Sequence, residues 1–451
     1  MSTTSTKGSP SEGFLERQGI ARHLLWGFVA VILFQTGNGM ELGFYSHFLQ
    51  ATKGLTSGQV AFMTAAYGIV IAIASWFSGS LADAWGSRRV MLLGFAAWLV
   101  FELVFLWGGV TTGTYWVMVA GYALRGFGYP LFCYGFLAWV TMDTPPEHLG
   151  RGVGWFWFAQ ALGMGALGAY IPSWFLIPAL GEMGTLWTSF IFVIAGGLLA
   201  VFLVRRPKDL QDADQGAAPS VSETIGGLVS GVTVLSDHPK TAIGGVVRII
   251  NQAAYFAIPV FFAPWIVGTV GMDQERWLTI WGTLNLANVF ANLAFGYIGD
   301  AIGRVRTVAW FGGLGCGIAV FLMWWFADSL NGSFAAVLGA GIMFGICLAA
   351  YVPLSAIMPM LAPEQKGSAV AILNLGAGLS NFVGPALVPL AGPLGVGGLM
   401  IFYAVLHVVG GGLTYGLKAG DGGEDGGDPG RPGAGTGSPD STPANPEPLS
   451  V

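Results

Sequence analysis

Apolar runs separated by polar or glycine-proline breaks divide the chain into twelve stretches, near 24–49, 58–81, 90–109, 115–141, 152–172, 185–204, 242–269, 277–298, 307–327, 333–359, 368–391 and 396–417. Each exceeds the roughly 18 residues that separate a membrane span from the buried helix of a soluble domain. A helix satisfies its own backbone where no water can. The pattern therefore predicts an all-α membrane protein of twelve transmembrane helices. The fifth and tenth runs are broken by glycine or proline, which membrane helices tolerate when neighbours take up the loosened backbone groups. The first run is too long for a signal peptide and lacks a small-x-small cleavage site, so it is expected to stay as the first helix.

Composition agrees. Of 451 residues, 54% are hydrophobic and 10% charged, against about 25% charged in soluble domains, and the mean hydropathy is +0.65. Much of the net charge of -5 comes from the last thirty residues, so it says nothing about a ligand. The position of the basic residues says more. With the N-terminus inside, fifteen Lys and Arg fall in cytoplasmic segments against Lys53 and Arg276 outside, the bias expected of a correctly oriented chain. This divides it into a polar cytoplasmic N-terminus (1–22), a six-helix bundle (23–205), a cytoplasmic linker (206–241), a second six-helix bundle (242–418) and a tail (419–451). The tail's Gly, Pro, Asp, Ser and Thr cannot bury enough apolar surface to offset chain entropy, and it is expected to be disordered and cytoplasmic. Cys133, Cys316 and Cys347 lie in apolar runs without metal-ligand spacing, and the five histidines form no cluster. No phosphate-binding glycine loop, nucleophile elbow or zinc spacing is present. No metal, cofactor, enzymatic activity or nucleic-acid partner is expected; the expected partners are the bilayer, a small solute and protons, with the chain acting as a monomer.

The chain also repeats itself at a constant offset. Gly79-Ser80-Leu81-Ala82-Asp83-Ala84-Trp85-Gly86-Ser87-Arg88-Arg89 returns as Gly296-Tyr297-Ile298-Gly299-Asp300-Ala301-Ile302-Gly303-Arg304-Val305-Arg306, and Pro146-Glu147 with Gly150 returns as Pro363-Glu364 with Gly367. The same offset of 217 maps Gln35 onto Gln252 and Tyr134 onto Tyr351. Duplicated six-helix units are the internal symmetry of secondary transporters, whose solute site lies between the halves near the bilayer midplane. The loop pattern of glycine, acid and basic pair resembles the signature of the major facilitator superfamily. That resemblance implies that Asp83, Arg88, Arg89, Asp300, Arg304 and Arg306 form a cytoplasmic gate whose contacts rearrange as the halves rock. The plainer reading is that they tie loops and mark topology. A narrower similarity runs through Trp26-Gly27-Phe28, Asn38-Gly39-Met40-Glu41-Leu42-Gly43-Phe44 and Leu124-Arg125-Gly126-Phe127-Gly128-Tyr129-Pro130-Leu131-Phe132. These segments look like the polyol permease branch, which carries ribitol and D-arabinitol, with a 2-oxoglutarate permease grouped alongside. It implies proton-coupled import across the inner or plasma membrane.

Four charges lie well inside the spans: Glu41, Glu102, Arg125 and Arg248. Each costs about 2.5–3.5 kcal/mol at the bilayer centre on insertion scales, so each needs a partner, a wet cavity or a route to the interface. In the family resembled, the first, fourth, seventh and tenth helices line the cavity, which places Glu41, Arg125 and Arg248 there. Glu41 and Arg125 lie roughly 12 and 15 Å from the outer ends of their helices, level enough to pair. They are candidates for proton coupling, the plainer reading being a static ion pair. Arg248 sits about two turns from the cytoplasmic end and has the reach to snorkel, but it shares a helical face with Asn251, Gln252 and Tyr255. Glu102 belongs to the third helix, usually peripheral in this fold, and is expected in a structural hydrogen bond.

Amides both donate and accept, which suits a polyhydroxylated solute. The solute-binding candidates are Gln35, Asn38, Tyr129, Tyr134, Trp157, Gln160, Arg248, Asn251, Gln252, Tyr255, Asn285, Tyr351 and Asn374. Asn288, Asn292 and Asn381 suit interhelical bonding better. The leading expectation is a proton-coupled importer of a polyol or sugar. A carboxylate permease, a drug/proton exporter and a membrane sensor with a transporter fold remain open beside it.

Overall fold

The computed structural model describes residues 20–145, 149–204 and 234–417, together with Leu15. The tail, nearly all of the N-terminal segment, most of the linker and the side chain of Asp83 lie outside the described residues.

The described chain is helical almost throughout. Span α1 is Leu25–Gly39 and Tyr45–Lys53, separated by a turn; α2 is Ser57–Trp85; α3 is Ser87–Leu103 continued by the wider π-turns of Val104–Thr111. Span α4 is Tyr115–Arg125 and Gly128–Asp143, α5 runs from Leu149–Ala161 to Pro172–Leu176, and α6 is Ile177–Phe202. In the second half α7 is Pro239–Gly268, α8 is Gln274–Ile302, and α9 runs from Arg304–Thr307 through Val308–Gly315 to Cys316–Ser329. Span α10 is Phe334–Ala349 and Leu354–Leu361, α11 is Lys366–Ala386 and α12 is Ala391–Thr414. Every span overlaps the apolar run that predicts it.

Among the described residues, by length and composition, seven helices can cross a membrane, or eight with α8 counted through its bend. The remaining spans come from two sources. The runs Arg151–Phe202 and Ala369–Leu417 each contain two spans, and the breaks in α1 and α4 leave pieces shorter than a bilayer. The reversal inside Arg151–Phe202 follows from the packing on α1. A methyl group on Gly163 of α5 would meet Ile32 and Gln35, and Gly39 of α1 abuts Met164, a parallel approach. Gly196 of α6 abuts Ala30 and Phe34 while Gly37 abuts Ser189 and Val193, an antiparallel one.

The duplication is visible in the turns. Among the described residues, the eight glycines with positive φ fall into four pairs at matching places in the halves: Gly54 and Gly271, Gly86 and Gly303, Gly113 and Gly332, Gly181 and Gly395. At Gly86 (φ 83) and Gly303 (φ 97), which cap α2 and α8, a side chain would be strained, by about 1–2 kcal/mol. Packing repeats as well: α1 lies on α5 and α6 as α7 lies on α11 and α12, and α3 on α4 as α9 on α10.

The halves meet along α2 with α11 and α5 with α8. These contacts are symmetry-related, and each seats an asparagine on a glycine: Gly68 of α2 abuts the Asn381 main chain of α11, and Gly165 of α5 abuts the Asn285 side chain of α8. At the end where α7 leads into α8, four hydrogen bonds join the halves. Ser46 Oγ donates to Val260 O (2.7 Å), Trp277 Nε1 to Gly43 O (3.0 Å) and Ser173 Oγ to Glu275 O (3.2 Å), and the Tyr170 and Thr283 hydroxyls bond at 2.7 Å. This is called the far end below. The opposite, basic end carries the two Gly-Asp-Arg loops.

Candidate functional site

The α1 break places Glu41 in a turn rather than on a continuous helix face. Gly39, one residue into the approach, lies so close to the Met164 backbone that no side chain fits there, which presses this turn toward the protein axis. Span α4 breaks one residue after Arg125, where Gly126 packs on the Tyr67 carbonyl. Two interrupted helices thus deliver a carboxylate and a guanidinium to one level.

Arg125 bonds two carboxylates, Glu41 through Nη2 and Glu102 through Nη1. Their exposures are 4% for Glu41, 1% for Glu102 and 2% for Arg125, so water screens none of them. The guanidinium carbon lies over the rings of Tyr122 (4.5 Å), Tyr67 (5.3 Å), Trp98 (5.6 Å) and Phe105 (5.9 Å), within the range where ring faces attract a cation. Trp98 Nε1 donates to Asn38 Oδ1 at 2.9 Å, and Asn38 Nδ2 donates to Gln35 Oε1 at 3.2 Å. Glu102 Oε1 and Arg125 Nε are buried without a hydrogen-bond partner among the described residues. With all three groups ionised the cluster carries one surplus negative charge; one bound proton makes it neutral.

Glu102, expected in a structural hydrogen bond on a usually peripheral helix, bonds Arg125 as its second carboxylate. Its signal was present in the sequence as the cost of any charge inside a span. Beside the cluster, Asn38, Glu41, Tyr67, Tyr129, Phe256 and Asn381 line a cavity of about 30 Å³, room for roughly two water molecules. Asn381, expected to act only between helices, borders this cavity, and Phe256 reaches it from the other half.

A second polar group lies toward the basic end. Arg248 Nη1 donates to Asn251 Oδ1, its stem packs on Gly376 of α11, and it lies within electrostatic reach of Tyr134 on α4. Tyr134 lies 6.3 Å from the Tyr129 ring and 6.2 Å from the Trp157 ring. Asn251 Nδ2 and Gln160 Oε1 are buried without partners among the described residues. Trp157, 40% exposed, and Asn374, also exposed, occupy repeat-equivalent positions on α5 and α11, the interface helices. Gln252 is half-buried one turn beyond Arg248.

Other candidates are committed elsewhere. Tyr255 donates to Asn285 Oδ1 at 2.8 Å and stacks on Trp281, and Asn285 Nδ2 is bonded to Trp281 O. Gln35, fully buried against Gly163, accepts from Asn38 beside the cluster, and its Nε2 has no partner among the described residues. Tyr351 is corrected: symmetry with Tyr134 put it in the cleft, but it lies in the core of the second half, on Gly312 and 3.4 Å from His407 Nδ1. The symmetry fails because α10 unwinds at 350–353 around Tyr351, two residues before Pro353, and the ring lies against Gly312 of α9 and His407 of α12. Asn288 donates to Gly345 O at 2.9 Å and Asn292 to Asn288, tying α8 to α10.

At the basic end, Arg88 donates to Val201 O of α6 (2.6 Å) and Arg304 to Asp300 Oδ1 (3.0 and 3.1 Å) and Met360 Sδ. Arg89 and Arg306 are exposed. His23 Nε2 bonds Asp143 Oδ2 at 2.8 Å, joining the start of α1 to the end of α4.

The family profile described as Major Facilitator Superfamily matches residues 27–284 and 244–444. The chain belongs to the major facilitator superfamily. It is 38% identical over 409 residues to an alpha-ketoglutarate permease of Bacillus subtilis (strain 168), covering 90% of this chain and 91% of that one. It is 34% identical over 398 residues to a D-arabinitol transporter of Klebsiella pneumoniae, covering 87% and 91%. A crystal structure of a D-xylose-proton symporter superposes with a TM-score of 0.68 at 14% identity, over 88% of this chain and 98% of that one, a likeness of fold. This facilitator is a multi-pass plasma-membrane transporter of small solutes of the sugar, polyol or carboxylate type, and not an enzyme.

Proposed function

We propose that this facilitator imports a small polyhydroxylated solute together with protons, by alternating access, and that Glu41, Glu102 and Arg125 carry the proton. The observation that supports this is the pair of carboxylates on one buried arginine. A buried ion cluster is stable only when its charges are matched, and here the match changes by one with each proton. When a proton binds one carboxylate, that group becomes a carboxylic acid and its bond to Arg125 loses its ionic part. Glu41 lies two residues from Gly43, whose carbonyl holds Trp277 across the halves, so a change at the cluster reaches the far-end lock through one turn of chain. By the bias of basic residues the basic end faces the cytoplasm, and the locked far end faces out. The 30 Å³ cavity is far smaller than a pentitol, so solute is taken up only when the halves part.

The test is uptake of labelled D-arabinitol, ribitol and D-ribonate into proteoliposomes, with and without an imposed inward proton gradient, read on whichever of them wild type carries. Wild type accumulates solute only with the gradient. Glu41→Gln and Glu102→Gln each lose accumulation and keep solute exchange. Unaltered accumulation in both variants removes the cluster from coupling.

A second reading, carboxylate transport, is favoured by Arg248 and by the relative named alpha-ketoglutarate permease. Competition of polyol uptake by 2-oxoglutarate separates the two. Export of apolar compounds fits less well, because amides border both polar groups.

A further inference from the structure

We infer that Arg248 is an anion-binding point in the cleft, and that the solute is a polyhydroxy monocarboxylate of the aldonate kind rather than a neutral polyol or a dicarboxylate. The inference rests on the proton-coupled reading above and names its substrate class.

Two arginines lie inside the spans, and they are compensated differently. Arg125 is held by two carboxylates and has no charge left to offer a solute. Arg248 has an amide as its hydrogen-bond partner, and no carboxylate pairs with it among the described residues. A cation kept within a membrane span costs free energy unless it is matched. A match supplied by the cargo is present only when cargo is bound. One uncompensated cation matches one carboxylate; the second carboxylate of a dicarboxylate would be left without a counter-charge, and a neutral polyol would leave Arg248 unmatched.

The surrounding atoms extend the argument. Among the described residues, Asn251 Nδ2 is a buried donor without a partner and Gln160 Oε1 a buried acceptor without one. A carboxylate accepts from the donor, and a hydroxyl donates to the acceptor. Arg248 packs by its stem on α11 at Gly376, while Tyr134, within its electrostatic reach, belongs to the first half. A ligand that bridges Arg248 and Tyr134 would touch both halves. The two positions at the sequence offset of 217 in the first half, Val31 and Phe34, are apolar and fully buried, so the site was not inherited from the duplicated unit in both copies.

The experiment uses purified full-length protein and two readouts. Thermal stabilisation in detergent is titrated with D-ribonate, D-gluconate, ribitol and 2-oxoglutarate, with sodium chloride as the ionic control. D-ribonate is expected to bind at least tenfold more tightly than ribitol or 2-oxoglutarate. Arg248→Gln should weaken ribonate at least tenfold, with Arg248→Lys between. Asn251→Asp, nearly isosteric, supplies an internal carboxylate and should abolish ribonate binding even if Arg248→Gln does not fold. In proteoliposomes, one proton with one monoanion moves no net charge, so ribonate uptake should follow the pH gradient and ignore an imposed membrane potential. Ribitol binding as tightly as ribonate, or unchanged ribonate affinity in Arg248→Gln and Asn251→Asp, overturns the site. Binding that depends on Arg248 but uptake that ignores the pH gradient leaves the site standing and overturns proton coupling. Proton-driven ribitol uptake with no response to ribonate does the reverse.

Discussion

The two halves of this transporter share a scaffold and differ in what they bury. Turn glycines, helix pairings and the asparagine-on-glycine contacts recur from one to the other. The charges do not. At the sequence offset of 217, the second half has Ile258, Ala319 and Ile342 where the first has Glu41, Glu102 and Arg125, and the first has Val31 and Phe34 where the second has Arg248 and Asn251. Geometry set by close backbone approach tolerates little change, whereas an interior polar group is retained where something uses it. Under the proposals above, the first half handles the proton and the second half the solute. Coupling is then a matter of the interface between them.

The sharpest way to break that contrast is to give the first half the residues of the second. Arg125→Ile alone strands two buried carboxylates and should cost about 3–5 kcal/mol, read as a large fall in detergent melting temperature. The triple variant Glu41→Ile, Glu102→Ala, Arg125→Ile replaces the whole cluster with the second half's apolar set. It should recover most of that loss, since apolar replacement of a complete buried ion cluster is often neutral, while proton-driven accumulation stays absent. A triple variant no more stable than the single one would show that the cluster holds the helices together by itself, and the contrast would be structural only.

The shared scaffold gives a smaller and more even effect. Gly86→Ala and Gly303→Ala each force a methyl group onto a positive-φ turn, with open space at Gly86 and only ordinary contact with Arg306 Cδ (3.9 Å) at Gly303, so backbone strain dominates, at about 1–2 kcal/mol each. Equal losses in melting temperature are expected. Unequal losses would mean the two loops have drifted apart in role, one toward gating.

The spans, their number and the duplication were legible in the sequence because each rests on a repeated local signal: apolar length, basic loops, glycine at matched turns. The pairing of Glu41 with Arg125 was legible from depth alone. Glu102 was not recognised as the second partner, because depth along α3 does not say which way the helix faces, and that is set by Gly94 and Gly128 packing α3 on α4. Tyr351 failed for the opposite reason. Symmetry at the level of residues was trusted across a span whose helix unwinds beside it, and a break of a few residues is enough to turn a ring from the cleft into the core. Tyr255 and Asn285 share a face with Arg248 or the interface as expected, but they satisfy each other, which composition and periodicity cannot reveal.

The finest test concerns the far-end lock. Trp277→Phe keeps a ring in place beside Phe262 and Trp281 but removes the N–H that bonds Gly43 O, a loss of about 1 kcal/mol. If that bond is broken when the far end opens, the open population should rise about fivefold. Spin labels at the exposed Thr52 and Arg276 would read the rise as a longer distance component. Tyr170→Phe, which removes the bond to Thr283 on the α5–α8 side, should shift the same population by a similar amount. The two differ in what lies behind them. Gly43 shares its turn with Glu41, so the Trp277→Phe shift should depend on whether Glu41 is replaced by Gln, while the Tyr170→Phe shift should not. Equal dependence in both would mean that the proton cluster acts on the interface as a whole rather than through the α1 turn.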